Sequence, residues 1–278
     1  MSASGGREIE AASFTATLIA AGRLDDSLTN AALERLSDAG LPADFSVWVE
    51  HGSARDLEIG GDPAAARDSL ANWEGVDLLP IADGPRFRKL FVADMDSTMI
   101  GQECIDELAD YAGVKPQVAA ITERAMQGEL DFAGALRERV ALLAGLDEAA
   151  LGHCLAERVR PNPGAKTLIA TLRHYGTTCL LVSGGFTAFA EPVGAMLGFD
   201  EVRANVLSRR EGKLLGTVDG AIVDSRARLV ALEQAAGWGV AYRAKPTLAA
   251  AADARLEHHG LDALLWAMGL PRWAWVEA

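Results

Sequence analysis

Residues 90–107 read LFVADMDSTMIGQECIDE, and they place two aspartates, Asp94 and Asp96, directly after a short apolar run. An apolar run of this kind, followed by a turn, is typical of a strand buried in a parallel sheet. In open α/β sheets the ligand binds beyond the carboxyl ends of the strands, where this pair lies. The stretch therefore predicts an α/β fold with a candidate active site at the two aspartates.

Two interpretations of the aspartate pair are open. In the first, the acids only begin a loop, and Ser97 or Thr98 caps the following helix. In the second, one carboxylate binds Mg²⁺ and attacks phosphorus, while the other, two residues on and on the same side of an extended chain, transfers protons. The succession of apolar strand, two carboxylates and two hydroxyls favours the second interpretation.

A second candidate site follows another apolar run, TTCLLVS at 177–183, which continues into Ser183, Gly184 and Gly185. A hydroxyl and glycine N–H groups at the start of a helix can hold phosphate oxygens, because glycine lets the backbone approach closely. An ordinary turn between a strand and a helix would have the same composition, so this tripeptide is weak evidence by itself.

The rest of the chain suggests two domains. Residues 1–85 alternate strand-like and helix-like segments and are expected to form a small α+β domain, with DGPRF at 83–87 as the linker. Residues 86–278 are expected to form the larger α/β domain. Within it, helical segments that each end at a glycine predict a helical cap at about 101–163.

Together these segments resemble the haloacid dehalogenase superfamily, and within it the phosphoserine phosphatase family. The resemblance runs from about Lys89 to Ala236 through VADMDSTMIGQECIDELADYAG, ITERAMQGELDF, LRERVALL, VSGGFTAF and EGKLLGTV. It implies a Rossmann-like parallel sheet with a helical cap, preceded by an ACT-like α+β domain. It also implies Mg²⁺-dependent hydrolysis of O-phospho-L-serine through an aspartyl-phosphate, the last step of serine biosynthesis.

The resemblance also implies residue roles. Asp94 corresponds to the nucleophile and Asp96 to the general acid and base. Both correspond to Mg²⁺ ligands, Asp94 through its carboxylate and Asp96 through its backbone carbonyl. The other implied roles are substrate contacts: Glu103 for the amino group, Arg139 for the carboxylate, Met126 and Phe132 for closure of the cap, and Ser183, Gly184 and Arg226 for the phosphate. An alternative interpretation is also open for four of these residues. The charged residues Glu103 and Arg139 could lie on a solvated helix face, and the apolar residues Met126 and Phe132 could pack in the core.

The family pattern breaks in the last third of the chain. The family's phosphate-binding Lys is replaced by Arg226, which keeps the charge in a different shape. The strand ending in G-D-G-x-N-D, whose acids complete the Mg²⁺ site, does not occur, so about one strand and one helix are missing. We do not expect Asp219, Asp224 or Asp253 to substitute. The alternative function is therefore a catalytically impaired or silent homologue that binds an amino acid or a partner protein.

Composition argues against several other classes of protein. The net charge of −13 repels nucleic acid, and no apolar run approaches the roughly 18 residues of a membrane span. Three widely spaced cysteines predict buried thiols rather than a disulfide framework or zinc site. No secretory signal is evident, so the cytoplasm is expected. For the N-terminal domain three roles stay open: amino-acid binding, formation of a homodimer, and support for folding.

Overall fold

The computed structural model describes residues 13–81, 84–223 and 237–278. They form two compact units: the first contains residues up to Arg88 together with the C-terminal residues 237–277, and the second contains residues from Lys89 to 223. None of the helices in these ranges is long and apolar enough to cross a membrane.

The first unit begins with a βαββαβ arrangement, the α+β pattern expected for this part of the chain. Its elements are β1 (Ser13–Ile19), α1 (Asp26–Asp38), β2 (Ala43–Glu50), β3 (Ala54–Gly60), α2 (Pro63–Leu70) and β4 (Asp77–Pro80). The strands form a sheet in the order β2-β3-β1-β4, and every neighbouring pair is antiparallel. Both helices start at aspartate caps, Asp25 and Asp62, whose side chains accept backbone N–H groups of the first turn.

Strand β3 is not predicted by the sequence, because charged residues interrupt its apolar pattern. The structure nevertheless buries Arg55 and Asp56 in this strand. Arg55 Nη1 lies 2.8 Å from Asp26 Oδ1, and Thr17 Oγ1 donates to Asp56 Oδ1 at 2.8 Å. Buried charges are tolerated when they are paired in this way, and the partners lie on other elements, out of reach of a local sequence pattern.

The C-terminal residues add β9 (Val240–Tyr242), α9 (Pro246–Ala251), β10 (Ala254–Leu256) and α10 (Ala263–Ala267) to the first unit. Strands β9 and β10 pair in parallel as a separate two-stranded sheet. The buried Asp77 carboxylate joins this segment to β4, since it accepts the backbone N–H groups of Glu257 and His258 at 2.9 and 3.1 Å. His259 Nδ1 lies 2.7 Å from the same carboxylate.

The second unit has an α/β architecture, as expected. Its elements are β5 (Leu90–Ala93), α3 (Cys104–Tyr111), α4 (Lys115–Met126), α5 (Phe132–Ala141), α6 (Ala149–Arg158), α7 (Ala165–His174), β6 (Thr178–Phe186), α8 (Thr187–Leu197), β7 (Glu201–Arg210) and β8 (Lys213–Asp219). The sheet order is β5-β6-β7-β8. The pairs β5-β6 and β6-β7 are parallel, and β8 returns antiparallel to β7 as a hairpin.

Four helices, α3 to α6, follow β5 where the sequence predicts a cap. The first three are followed by Gly113, Gly128 and Gly145, whose φ angles of 68°, 81° and 83° lie in the left-handed region that favours glycine. Among the described strands β5 has one neighbour, β6, so the strand that carries Asp94 lies at an edge of the sheet. An exposed edge there is what the loss of a central strand would leave.

Candidate active site

Asp94 lies at the carboxyl end of β5, directly after the last residue of the strand. Its carboxylate accepts the Met95 N–H at 2.8 Å. The chain then makes a tight turn over Met95–Met99, in which Ser97 has a φ of 55°. This turn ends the strand and leads to Glu103, the residue before α3.

The two predicted halves of the site meet at Gly185. A β-carbon placed on Gly185 would lie 3.0 Å from Asp96 Oδ2 and 3.1 Å from Ser183 Oγ. Glycine leaves room for both polar groups, since a β-carbon here would require one of them to move by a few tenths of an ångström. Ser183 is fully buried, and its Oγ accepts the Gly185 N–H at 2.9 Å. The aspartates after β5 and the Ser-Gly-Gly turn in β6 thus converge at one end of the sheet.

Two charged cap residues belong to the same electrostatic environment. Glu103 Oε1 accepts a hydrogen bond from Ser97 Oγ at 2.7 Å. Burial lowers the pKa of the Arg139 guanidinium on α5, and the carboxylates of Asp106, Glu103 and Asp96 oppose this effect. This half-buried cation is therefore close enough to several acids to be influenced by them.

Both central aspartates hold protons more tightly than ordinary carboxyl groups. Burial raises the pKa of Asp94 to about 6; the Met95 N–H opposes this, and repulsion from Glu103 adds to it. Burial, followed by repulsion from Glu103, raises the pKa of Asp96 to about 7. A pKa close to the working pH suits a group that must both give and take a proton.

These shifts predict that the cation-free protein loses stability as the pH rises. The folded-state pKa values lie above the ordinary value of 3.8, so the stabilising contribution is complete below that value and is lost as the pH passes through 6 to 7. We expect the free energy of unfolding in EDTA to fall by about 4 kcal/mol between pH 5 and pH 8. Chemical denaturation at both pH values measures this.

A matched pair of variants tests the origin of that fall. Asp94→Asn removes one of the titrating groups and should raise stability at pH 8 more than at pH 5. Asp38→Asn changes an exposed aspartate on α1 and should leave the slope unchanged. A free energy of unfolding in EDTA that rises from pH 5 to pH 8 would contradict the assignment.

The oxygen ligands at this site are of the type that a hard divalent cation prefers, but there are few of them. Asp94 and Asp96 offer oxygen ligands, which Mg²⁺ prefers, and Mg²⁺ in proteins commonly uses one or two carboxylates with waters and substrate phosphate. In residues 13–81, 84–223 and 237–278 no group of three or more His, Cys, Asp or Glu side chains is placed to hold a metal. Asp219 is engaged by Ser208 Oγ at 2.5 Å, and Asp253 by the Gly239 N–H at 2.6 Å.

The other residues implied by the resemblance have less specific surroundings. Met126, the last residue of α4, is 65% exposed, and Phe132, the first residue of α5, is half-buried. Arg226 and Asp224 lie outside the described residues. The apolar pair therefore occupies cap helices without being part of a described core.

Asn205 is a site-supporting residue that the sequence analysis missed. Its Nδ2 donates to the carbonyl oxygens of Gly184 and Val223 at 2.9 and 3.1 Å, and its Oδ1 accepts the Val223 N–H at 2.7 Å. Asn205 is 2% exposed. The sequence feature that could have indicated this role is an amide side chain within a predicted strand, since a buried amide needs hydrogen-bond partners.

Comparison with known proteins places the chain in a family. The family model for haloacid dehalogenase-like hydrolases matches residues 91–256, which is more than half of the chain. A phosphoserine phosphatase, SerB2, from Mycobacterium tuberculosis is 42% identical over 213 aligned positions, which cover 67% of this chain and 52% of that protein. A phosphoserine phosphatase from Albidiferax ferrireducens is 41% identical over 208 positions, which cover 64% of this chain and 88% of that protein.

A solved structure shares the fold over most of the chain. The unliganded crystal structure of a probable phosphoserine phosphatase from Vibrio cholerae superposes with a TM-score of 0.68 and 28% identity, covering 92% of this chain and 86% of that one. This chain spans about half the length of the mycobacterial relative.

The alignments also measure the missing segment. For the mycobacterial relative, 67% of 278 residues is about 186, so about 27 of the 213 aligned positions have no counterpart here. For the Albidiferax relative, 64% of 278 is about 178, which leaves about 30 of 208 positions without one. Both values match the size of one strand and one helix. The chain belongs to the haloacid dehalogenase-like hydrolase family, and within it to the phosphoserine phosphatases.

Proposed function

We propose that this chain hydrolyses O-phospho-L-serine to L-serine and phosphate in a Mg²⁺-dependent reaction, as the last step of serine biosynthesis. The observation that carries the proposal is the convergence of Asp94 and Asp96 with Ser183 and Gly185 at the carboxyl ends of two neighbouring parallel strands. A carboxylate nucleophile, a proton carrier and a phosphate-binding turn are the parts that transfer of a phosphoryl group requires.

In the first half of the reaction, an oxygen of the Asp94 carboxylate attacks phosphorus and the bond from phosphorus to the serine oxygen breaks. Asp96, whose pKa burial and repulsion from Glu103 raise to about 7, gives its proton to the leaving alkoxide. Asp94, whose pKa burial raises to about 6, attacks in its ionised form. L-serine leaves, and the phosphoryl group stays on Asp94.

In the second half, water attacks phosphorus and the bond from phosphorus to Asp94 breaks. Asp96, now ionised, accepts a proton from the water, so both aspartates return to their starting states. The buried Ser183 hydroxyl and the N–H groups of the following turn would hold phosphate oxygens throughout. When bound at Asp94 and Asp96, Mg²⁺ would supply positive charge against the repulsion between phosphate and carboxylate.

Substrate choice is assigned to the cap. Glu103 carries the charge that complements an ammonium group, and the Arg139 guanidinium can hold a carboxylate through two parallel hydrogen bonds. A substrate with both groups, such as phosphoserine, fits this pair better than a simple phosphate monoester does. We assign the reaction to the cytoplasm, and a homodimer formed through the first unit is the assembly we propose.

The proposal predicts a ranking of substrates. Phosphate release from O-phospho-L-serine should exceed release from p-nitrophenyl phosphate and phosphoglycolate by at least about tenfold in kcat/KM, since these lack one or both groups that the cap binds. The measurement is colorimetric phosphate release with excess Mg²⁺. Equal kcat/KM values for all three esters would sink the assignment of substrate.

The alternative function is a silent homologue that binds an amino acid or a partner protein without turnover. The observation that favours it is the loss of about 27 to 30 aligned positions, the size of the segment that carries the remaining metal-binding acids in the family. Calorimetric binding of L-serine or phosphoserine, with no phosphate release at any Mg²⁺ concentration, would support this alternative.

A further inference from the structure

We propose that Ser97 is a positioning residue that fixes the Glu103 carboxylate for the substrate's ammonium group. The inference rests on the proposed function. Ser97 Oγ donates to Glu103 Oε1 at 2.7 Å, and the Ser97 N–H donates to the Gln102 carbonyl at 3.2 Å. Side chain and backbone of one residue therefore tie both ends of the loop between the turn and α3.

The backbone of Ser97 is the reason to look for a function there. Its φ of 55° lies in the left-handed region, which is costly for most residues and is usually occupied by Gly, Asn or Asp. A residue with a strained backbone persists only when the surrounding structure holds it in that conformation. Such residues cluster at ligand-binding sites. Glycine would relieve the strain, so the hydroxyl is the feature that serine adds.

The loop that carries Ser97 is held from the opposite side by the end of the cap. Asn162 Nδ2 donates to the carbonyl oxygens of Thr98 and Ile100 at 2.8 and 3.1 Å. The Asn162 N–H also donates to the Met99 carbonyl at 2.9 Å. With the loop fixed on this side, the Ser97 hydroxyl has a defined position from which to hold one oxygen of Glu103.

Without that hydrogen bond, Glu103 has several rotatable bonds and an exposed carboxylate. Binding an ammonium group would then require ordering the side chain, which lowers affinity. Ligands without an amine would not be affected. Ser97 thus acts through Glu103 on the preference for amine-bearing ligands and leaves phosphate recognition to the Ser183 turn.

The test uses the full-length Asp94→Asn variant, in which turnover is blocked, and calorimetry in the presence of Mg²⁺. The two probes are O-phospho-L-serine and 3-phosphooxypropanoate, which differ only in the amine. We expect the parent to prefer phosphoserine at least about tenfold, which corresponds to about 1.4 kcal/mol. Adding Ser97→Gly or Ser97→Ala should reduce that preference to within about threefold by weakening phosphoserine alone.

The Ser97→Gly variant distinguishes a loss of positioning from a loss of folding. Glycine suits the left-handed backbone, so the melting temperature of this variant should not fall. Ser97→Asn, which tolerates this conformation and can still donate to Glu103, should recover part of the preference. An unchanged preference in Ser97→Gly, or a parent with no amine preference, would overturn the proposal. If the wild type showed no turnover but the preference for phosphoserine and its dependence on Ser97 were as expected, the result would contradict the proposed function and not the role of Ser97.

Discussion

Replacement of Asp94 by asparagine should lower the rate of phosphate release from O-phospho-L-serine by at least about a thousandfold. The amide keeps the size of the side chain and has no charged oxygen with which to attack phosphorus. It also removes the carboxylate that the proposed site offers to a cation. Initial rates at saturating substrate and Mg²⁺, with the same folded concentration of each protein, measure the effect.

A matched control separates this loss from a general effect of removing a charge. Asp147→Asn changes an aspartate in the same unit whose side chain is 61% exposed and which pairs with Lys213 at 3.5 Å. Exposed pairs of this kind contribute little, so its rate should stay within about twofold of the wild type. Phosphate release that persists in Asp94→Asn would refute Asp94 as the nucleophile.

Replacement of Arg86 by alanine should destabilise the first unit by about 3–5 kcal/mol, because it leaves a buried charge without its partner. Arg86 Nη1 and Nη2 lie 2.5 and 3.1 Å from the two oxygens of Asp56, which is 3% exposed. Arg86 also donates to the Ala267 carbonyl at 2.7 Å and to Thr17 Oγ1 at 3.1 Å. The residue connects β1, β3 and the end of α10 in one hydrogen-bonded group.

Urea denaturation with circular dichroism measures the change in unfolding free energy. Removing both charges, as in Arg86→Met with Asp56→Leu, should recover much of the loss, since no buried charge is then left unpaired. Arg203→Ala removes an exposed ion pair with Glu201 and should change stability by less than about 1 kcal/mol. A loss below 1 kcal/mol for Arg86→Ala would show that Asp56 finds other partners.

The parts of the fold that depend on local pattern are readable from the sequence. The run before Asp94 and the run before Ser183 form parallel strands because continuous apolar residues suit a sheet covered on both faces. The first three cap helices are each followed by a glycine because the left-handed backbone there favours glycine. The convergence of these two strand ends also follows from the fold class, since parallel neighbours end at the same edge.

Features that depend on distant partners are not readable in this way. The sequence does not indicate that Asp77 in β4 binds the backbone of residues 257–259, nor that Arg86 holds α10. Asn205 and Ser97 gain their roles from contacts with residues on other turns. In each case a polar side chain is satisfied across the fold, and one sequence carries no signal for its partner.

The internal loss is the feature that most affects the proposed activity. It leaves β5 with one neighbour among the described strands, and Leu90 in that strand is 45% exposed. It also leaves Asp94 and Asp96 with fewer companions to hold a cation, so Mg²⁺ should bind more weakly than at a site with additional carboxylates. We nevertheless expect the remaining residues to support turnover.

The most direct test of that claim is phosphate release from O-phospho-L-serine by the wild-type chain as the Mg²⁺ concentration is varied, with EDTA as the reference. We predict release that is absent in EDTA, rises with Mg²⁺ and saturates only at millimolar or higher concentrations, because few carboxylates hold the ion. No release at any Mg²⁺ concentration, by a protein that is folded and binds phosphoserine saturably, would contradict the account.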